Sequence, residues 1–209
     1  MAVIAPIWNI IYSFGLLCGI GGSVIYAVAR GERDDVKAAN GYFTSAFILG
    51  TLWALILWVL VWVCEEPLLR LFGANDALMP LCKEYMVAPK LTVPVYVFIN
   101  LLSSFLRNDG DPGRATKAVI FGGIFNVFGD YFFVFTLDMG IKGAGIATAM
   151  GASMSVLVML THFISKKNTL KFVKPLRILN SFKMISVNGF SSFIVDVAMG
   201  IATMLFTAA

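Results

Sequence analysis

Two aspartates lie inside long apolar stretches of this chain, and each is the only charged residue of its stretch. Asp130 lies within residues 118–137, and Asp196 lies within residues 184–209. A carboxylate at mid-membrane depth costs roughly 2.5–3.5 kcal/mol on insertion scales, so such residues are rarely retained without a function. The two aspartates therefore indicate a membrane protein that binds or moves something polar.

Asn126 and Asp130 are four residues apart, so on a helix they share one face with Cβ atoms about 5–6 Å apart. Together they offer an amide oxygen and a carboxylate, which are ligands that hard cations prefer. Burial disfavours the charged carboxylate, so Asp130 can take up a proton instead. The pair predicts a site for sodium or a proton. The alternative is a structural pair that hydrogen-bonds neighbouring helices.

The composition requires a bilayer around these residues. Apolar residues make up 59% of the chain and charged residues 13%, with a mean hydropathy of +0.85, whereas soluble domains have about 45–50% and 25%. Six apolar stretches are each long enough, or nearly so, for a crossing helix of about 20 residues. We predict an all-α polytopic membrane bundle with spans at 2–29, 42–64, 86–106, 118–137, 143–165 and 184–209.

The basic residues follow the membrane topology. Twelve of the 16 Lys and Arg residues lie in loops 30–41, 107–117 and 166–183, and the positive-inside rule assigns these loops to the cytoplasm of a cell-membrane protein. The net charge of +4 therefore does not indicate nucleic-acid binding. Both chain ends would then lie outside, without flanking charges, which predicts that the chain is a piece of a larger protein.

Several local patterns predict structure rather than chemistry. The turn RNDGDPG at 107–113 lacks the glutamate that completes a calcium loop, so we predict a structural turn. The lone His162 is predicted to be a polar tip at the membrane interface. Small residues at 143, 147, 151 and 155 predict a close helix contact, and Pro89 and Pro94 predict a bend in the third span.

Enzyme signatures are absent from the sequence: there is no Walker A loop, no H-E-x-x-H and no G-x-S-x-G. The three cysteines have no metal-ligand spacing. We therefore predict that the protein is not an enzyme. Without a nucleotide site, transport would use an ion gradient or run downhill.

Four motifs resemble the MATE family (multidrug and toxic compound extrusion). They are GIGGS at 19–23, LRNDGDPGRAT at 106–116, N-x-x-x-D-Y at 126–131 and MGIKGAGIAT at 139–148. The resemblance implies a fold of two six-helix bundles, in which the six spans correspond to family helices two to seven. The chain would then contain most of one MATE-like bundle, without its first helix, at 1–165. A basic linker at 166–183 and the first helix of the second bundle at 184–209 would follow.

The resemblance also implies a function: secondary active export of cationic or amphipathic drugs in exchange for sodium ions or protons. It implies a cation site at Asn126, Asp130 and Thr148, and proton coupling at Asp130 and Asp196. The family's aspartate on helix one has no counterpart here. No cofactor is expected, and no metal beyond a sodium ion at that site. The expected partners are drugs or organic cations, the coupling ion and the lipid bilayer, with no nucleic acid.

Two other functions stay open at this stage. One is a flippase of lipid-linked substrates from the same superfamily, which predicts a more basic central cavity than the few charges within the spans allow. The other is an inactive transporter fragment, which the missing first helix favours.

Overall fold

The computed structural model describes residues 4–31, 35–175 and 177–208, with side chains up to Ala202. The predictions that fall on residues 2–3, 32–34, 176 and 209 lie outside the described residues. Within those ranges the regular structure is helical throughout. The α-helices are α1 Ala5–Gly31, α2 Val36–Val63, α3 Glu65–Leu71, α4 Met79–Leu91, α5 Val93–Asn108, α6 Pro112–Asp130, α7 Gly140–Leu160 and α8 Ile178–Ala208.

The predicted all-α membrane bundle is confirmed. Five helices, α1, α2, α6, α7 and α8, are long and apolar enough to cross a membrane. α4 and α5 form a bent pair with an angle of 54° between them, which gives a sixth crossing if the pair is one span. The bend lies at Thr92, between the two prolines that predicted it, and the Thr92 hydroxyl donates to the carbonyl of Pro89 at 3.0 Å.

Four helices begin six or seven residues before the predicted apolar spans, and two of these are α2, at Val36 rather than 42, and α6, at Pro112 rather than 118. The third span begins at Met79 rather than at residue 86, because the helix continues outward past the exposed Glu84. The last helix begins at Ile178 rather than at 184, so the end of the predicted linker is helical and carries the exposed Lys183. The predicted spans were bounded by charged residues, which show where the apolar sequence ends. The helical backbone continues past those charged residues.

Glycines bring α1 and α8 into backbone contact. A Cβ atom at Gly21 would overlap the carbonyl oxygen of Ile185, and one at Gly189 would overlap the carbonyl oxygen of Leu17. Small residues allow this approach in membrane bundles, where packing rather than water drives helix association. α8 is therefore joined closely to α1 along the membrane span.

α6 and α7 make a second close contact. A Cβ atom at Gly122 would lie 2.5 Å from the carbonyl oxygen of Gly151, and one at Gly151 would lie 2.8 Å from Cβ of Asn126. Ser155, one turn further along α7, is buried against Gly122. The small-residue face predicted on residues 143–155 thus packs against α6.

Loops 30–41, 107–117 and 166–183 lie at one end of the bundle, which we call the basic end. A buried polar cluster lies at this end. Its centre is Asp109, whose Oδ1 accepts hydrogen bonds from the Tyr26 hydroxyl at 2.8 Å and from the Thr169 hydroxyl. Asp109 Oδ2 lies 2.7 Å from Nε2 of His162 and accepts from the Thr169 amide at 2.9 Å. The cluster joins α1, the 109–111 turn, the end of α7 and the linker.

His162, predicted to be a polar tip at the membrane interface, is enclosed by protein instead of ending in a free polar tip. Its side chain is fully buried, and Nδ1 faces Oδ2 of Asp111 at 3.3 Å. Asp111 also pairs with Arg114, Nε to Oδ2 at 2.8 Å. A buried imidazole needs polar partners, and here they come from a turn some fifty residues earlier in the chain, so no local pattern could indicate them. The prediction that the turn is structural agrees with this arrangement.

Residues 168–175 of the linker have no regular secondary structure and lie against α2 at the basic end. The amide of Lys171 donates to Oδ1 of Asn40 at 2.8 Å, and the amide of Val173 donates to the Thr44 hydroxyl at 3.0 Å. Both acceptors are buried polar residues of α2. The linker backbone is thereby held by α2 rather than by regular structure of its own.

The carboxylates of the cluster are stabilised in their charged forms. Burial raises the pKa of Asp109, but hydrogen bonds with Thr169, His162 and Tyr26 outweigh burial and hold the pKa below its ordinary value. For Asp111, burial is likewise outweighed by His162 and Arg114, and its pKa is also lowered. Because the folded values are depressed, this stability is present above the unfolded pKa of about 4 and is lost as the pH falls through the folded value.

We predict that Asp109→Asn lowers the free energy of unfolding by about 1–3 kcal/mol, because it replaces a buried carboxylate that accepts hydrogen bonds from Tyr26 and Thr169 and faces His162. The measurement is thermal or denaturant unfolding of the purified protein in detergent, at neutral pH and in steps below about pH 4, where the lowered pKa of Asp109 is crossed. The difference from the wild type should shrink at the acidic pH. The matched control is Asp138→Asn in an exposed turn, with an expected change within about 0.5 kcal/mol. Equal stability of the two variants would contradict the assigned role of Asp109.

The α6–α7 contact predicts opposite outcomes at two adjacent glycines. Gly122→Ala should destabilise the protein by about 1–3 kcal/mol, because the added methyl group forces the helices apart. Gly123→Ala meets no atom within 4 Å and should stabilise α6 by up to about 1 kcal/mol through helix propensity. Unfolding in detergent measures both, and a neutral Gly122→Ala would show that the helices are not in backbone contact.

Candidate cation site

The predicted site residues lie at the interface of α6 and α7. Asn126 and Asp130 occupy successive turns of α6, and Thr148 lies on α7. Directly after Asp130, residues Tyr131–Thr136 form a π-helical segment. Such segments occur frequently at functional sites because they change the direction of side chains within a helix. The sequence did not predict this segment.

The Thr148 hydroxyl is the centre of a small polar cluster. It donates to the carbonyl of Ala144 at 2.8 Å, accepts from the Tyr85 hydroxyl at 3.1 Å and lies 3.5 Å from Nδ2 of Asn126. The Tyr96 hydroxyl lies 3.5 Å from the Thr148 carbonyl oxygen. The structure thus brings Asn126 and Thr148 together and adds two tyrosines from α4 and α5.

Asp130 lies one turn after Asn126 on α6. Its Oδ1 is buried and, within the part of the chain that the structure describes, accepts no hydrogen bond. A buried carboxylate oxygen without a donor is costly, which makes it a candidate for binding a proton or a cation.

Aromatic side chains of α1 and α5 line up beside the cluster. The Tyr96 ring lies 4.7 Å from the Trp8 ring and 5.4 Å from the Tyr12 ring, centroid to centroid. Nδ2 of Asn100 donates to the Tyr12 carbonyl at 3.2 Å and holds α1 against α5. One side of α1 thereby faces the Thr148 cluster through these rings.

Asp196 belongs to a different contact. Its Oδ2 accepts from the Ser13 hydroxyl of α1 at 2.8 Å, and that hydroxyl also lies 2.7 Å from the Asn9 carbonyl. No described contact links Asp196 to Asn126, Asp130 or Thr148. The two aspartates of the sequence prediction therefore lie at separate polar positions, one between α6 and α7 and one between α1 and α8.

Sequence reasoning missed the residues that complete the two polar positions. Tyr85 was assigned to the loop before the third span, although it lies within α4, and Tyr96 and Ser13 gave no local signal. Hydroxyl side chains are common inside apolar helices. Whether such a hydroxyl belongs to a polar site depends on which residue of a neighbouring helix it contacts.

The cluster can serve a hard cation or a proton. Carboxylate, amide and hydroxyl oxygens suit sodium, and within the described residues no set of three or more His, Cys, Asp or Glu side chains is positioned to hold a metal. Oxygen ligands of this kind are those of hard cations, whereas soft transition metals prefer sulfur or imidazole ligands.

Comparisons with known proteins agree with this architecture. The profile of the MatE family matches residues 1–132. A curated relative, the multidrug export protein MepA of Staphylococcus saprophyticus, is 24% identical over 204 residues, which cover 94% of this chain and 44% of the relative.

Two solved structures show the same fold. An inward-facing multidrug resistance MATE family transporter superimposes with a TM-score of 0.89 at 24% identity, covering 97% of this chain and 47% of that protein. A MATE structure in the bent conformation has a TM-score of 0.86 at 25% identity, covering 96% of this chain and 45% of that protein. The chain thus spans about half the length of the proteins that it matches. With the family profile covering most of its helices, this multi-pass membrane protein belongs to the MatE family.

Proposed function

We propose that the chain acts within a secondary active efflux transporter that exports cationic or amphipathic drugs in exchange for sodium ions or protons. The family membership and the name of the staphylococcal relative, a multidrug export protein, support the transport class. In this proposal residues 1–165 form most of the first bundle, residues 166–183 connect the bundles, and residues 184–209 begin the second one.

The observation that carries the coupling proposal is Oδ1 of Asp130, which is buried and has no hydrogen-bond partner among the described residues, one helical turn from Asn126, whose amide faces Thr148. A carboxylate in this position needs a counter-charge, because burial without one is unfavourable. A proton or a sodium ion supplies it, and the same residue can therefore serve either coupling ion.

Sodium would be held by the Asp130 carboxylate, the Asn126 amide oxygen and the Thr148 hydroxyl oxygen. In this structure the Thr148 hydroxyl already accepts a hydrogen bond from Tyr85 at 3.1 Å. A cation must compete with that donor for the oxygen lone pairs. Tyr85 is thus a neighbour whose position changes with ion occupancy.

Alternating access follows if the two conformations of the bundle bind the ion with different affinities, since an ion shifts an equilibrium only through that difference. Binding of a proton or a sodium ion at Asp130 neutralises the charge of the carboxylate. This changes the stability of the α6–α7 interface, where Thr148 lies. Asp196 is a second proposed coupling position, because it joins α8 to Ser13 of α1 and so would respond to movement between the bundles.

We expect Asp130→Asn to reduce gradient-driven drug efflux by at least about tenfold, since a hydrogen bond or ligand contact to a charged group contributes about 1.5–3 kcal/mol. The measurement is efflux of a fluorescent organic cation from cells or proteoliposomes that contain the complete gene product, with sodium and proton gradients imposed separately. Asp138→Asn, in an exposed turn, is the matched control. Undiminished export by Asp130→Asn would rule out coupling at this residue.

Tyr85→Phe tests the competition at Thr148. Without the hydroxyl donor, the Thr148 oxygen is free, and sodium should bind about fivefold more tightly, which corresponds to one neutral hydrogen bond of about 1 kcal/mol. Sodium-dependent thermal stabilisation of the purified protein measures the affinity, and Tyr131→Phe, with an exposed ring, is the control. Weaker binding would mean that Tyr85 is itself a ligand. A complete lack of sodium or proton dependence in the wild type would support an inactive fragment.

A further inference from the structure

A cavity of about 390 Å³ opens at the basic end, where the first turn of α2, the end of the linker and the first turn of α8 meet. Three of its lining residues carry positive charge: Lys37, Lys174 and Arg177. Asn180 and Ser181 add polar side chains, and the described lining residues include no carboxylate. This volume is within the range of small-ligand pockets, about 300–1,000 Å³.

Among the residues that the structure describes, the three cavity cations lack the ion pairs that several basic residues form at the opposite end of the bundle. At the opposite end Lys83 pairs with Glu66 and Lys90 pairs with Glu65, each at 2.8 Å, while Arg70 pairs with Glu66 and Asp76. At the basic end Arg114 pairs with Asp111. None of the three cavity cations forms an ion pair with a residue that the structure describes.

The nearest carboxylate along the described sequence has another role. Asp35 caps α2, where its Oδ1 accepts from the Ala38 amide at 2.8 Å, and it is not among the lining residues. The cavity also lies beside the N-terminal ends of α2 and α8, whose helix dipoles favour a negative charge. The local field therefore favours an external anion.

Apolar residues adjoin the cavity and indicate what carries the anion. Leu179 is 79% exposed and Val36 is 47% exposed, each next to lining residues in sequence. The Tyr42 ring, an interfacial side chain in membrane proteins, forms part of the wall. A soluble phosphate would leave these apolar surfaces in water, whereas a lipid would cover them with its acyl chains.

We propose that this cavity binds the phosphate group of an anionic phospholipid from the inner leaflet. Lys37, Lys174 and Arg177 would surround the phosphate, and Asn180 and Ser181 would contact the polar headgroup. The lipid would join α2, the linker and the start of α8, and so would hold the linker in place. The site is distinct from the Asp130 cluster and does not depend on the proposed ion coupling.

Native mass spectrometry of the detergent-purified protein, titrated with phosphatidylglycerol or phosphatidylcholine, tests the proposal. Wild-type protein should retain phosphatidylglycerol in preference to phosphatidylcholine. The triple variant Lys37→Gln, Lys174→Gln, Arg177→Gln should bind it about fivefold more weakly for each charge removed, the equivalent of about 1 kcal/mol each. These side chains are exposed, so the melting temperature without lipid should be unchanged.

The matched control removes three exposed basic residues of the same end that do not line the cavity: Lys117→Gln, Lys166→Gln, Lys167→Gln. It should bind phosphatidylglycerol within about twofold of the wild type, because attraction to distant charges is weak and screened. An equal loss in the control would show diffuse attraction and overturn the site. Full competition by excess inorganic phosphate, or equal retention of phosphatidylcholine, would overturn the assignment to an anionic lipid.

Discussion

The backbone contact between α6 and α7 is the constraint on which the candidate cation site depends. Asn126 and Thr148 lie on different helices, and their side chains meet only because Gly122 and Gly151 carry no Cβ atoms at the crossing. In a bilayer, apolar side chains gain little by leaving lipid for a helix interface, so close packing of small residues determines which helices associate. The polar site is therefore a product of glycine positions as much as of its own side chains.

α1 relates this site to the rest of the bundle. One side of the helix faces α5, where Tyr12 and Trp8 pack on Tyr96, and another side contacts α8 through Gly21 and through the Ser13–Asp196 hydrogen bond. Movement of α8 relative to the other helices must alter contacts of α1. α1 thus contacts both the helix that carries Tyr96 and the helix that carries Asp196.

The basic end has a different organisation from the membrane interior. Asp109 contacts Tyr26, His162 and Thr169. Two backbone amides of the linker donate hydrogen bonds to Asn40 and Thr44 of α2. These bonds use buried donors and acceptors, which are unfavourable to leave unpaired. The linker is consequently part of the folded bundle, and the cavity at its end is defined by fixed elements on three sides.

The sequence alone determined the membrane class, the six apolar spans, the pairing of Asn126 with Asp130 on one helix face and the bend near Pro89, because these depend on composition and on periodicity within one helix. Family motifs added Thr148. Only the tertiary structure decided that Tyr85 reaches Thr148, that Asp196 faces Ser13 and that His162 is buried between Asp109 and Asp111. Such contacts join residues far apart in the chain, and which helix faces meet depends on packing that no single segment encodes.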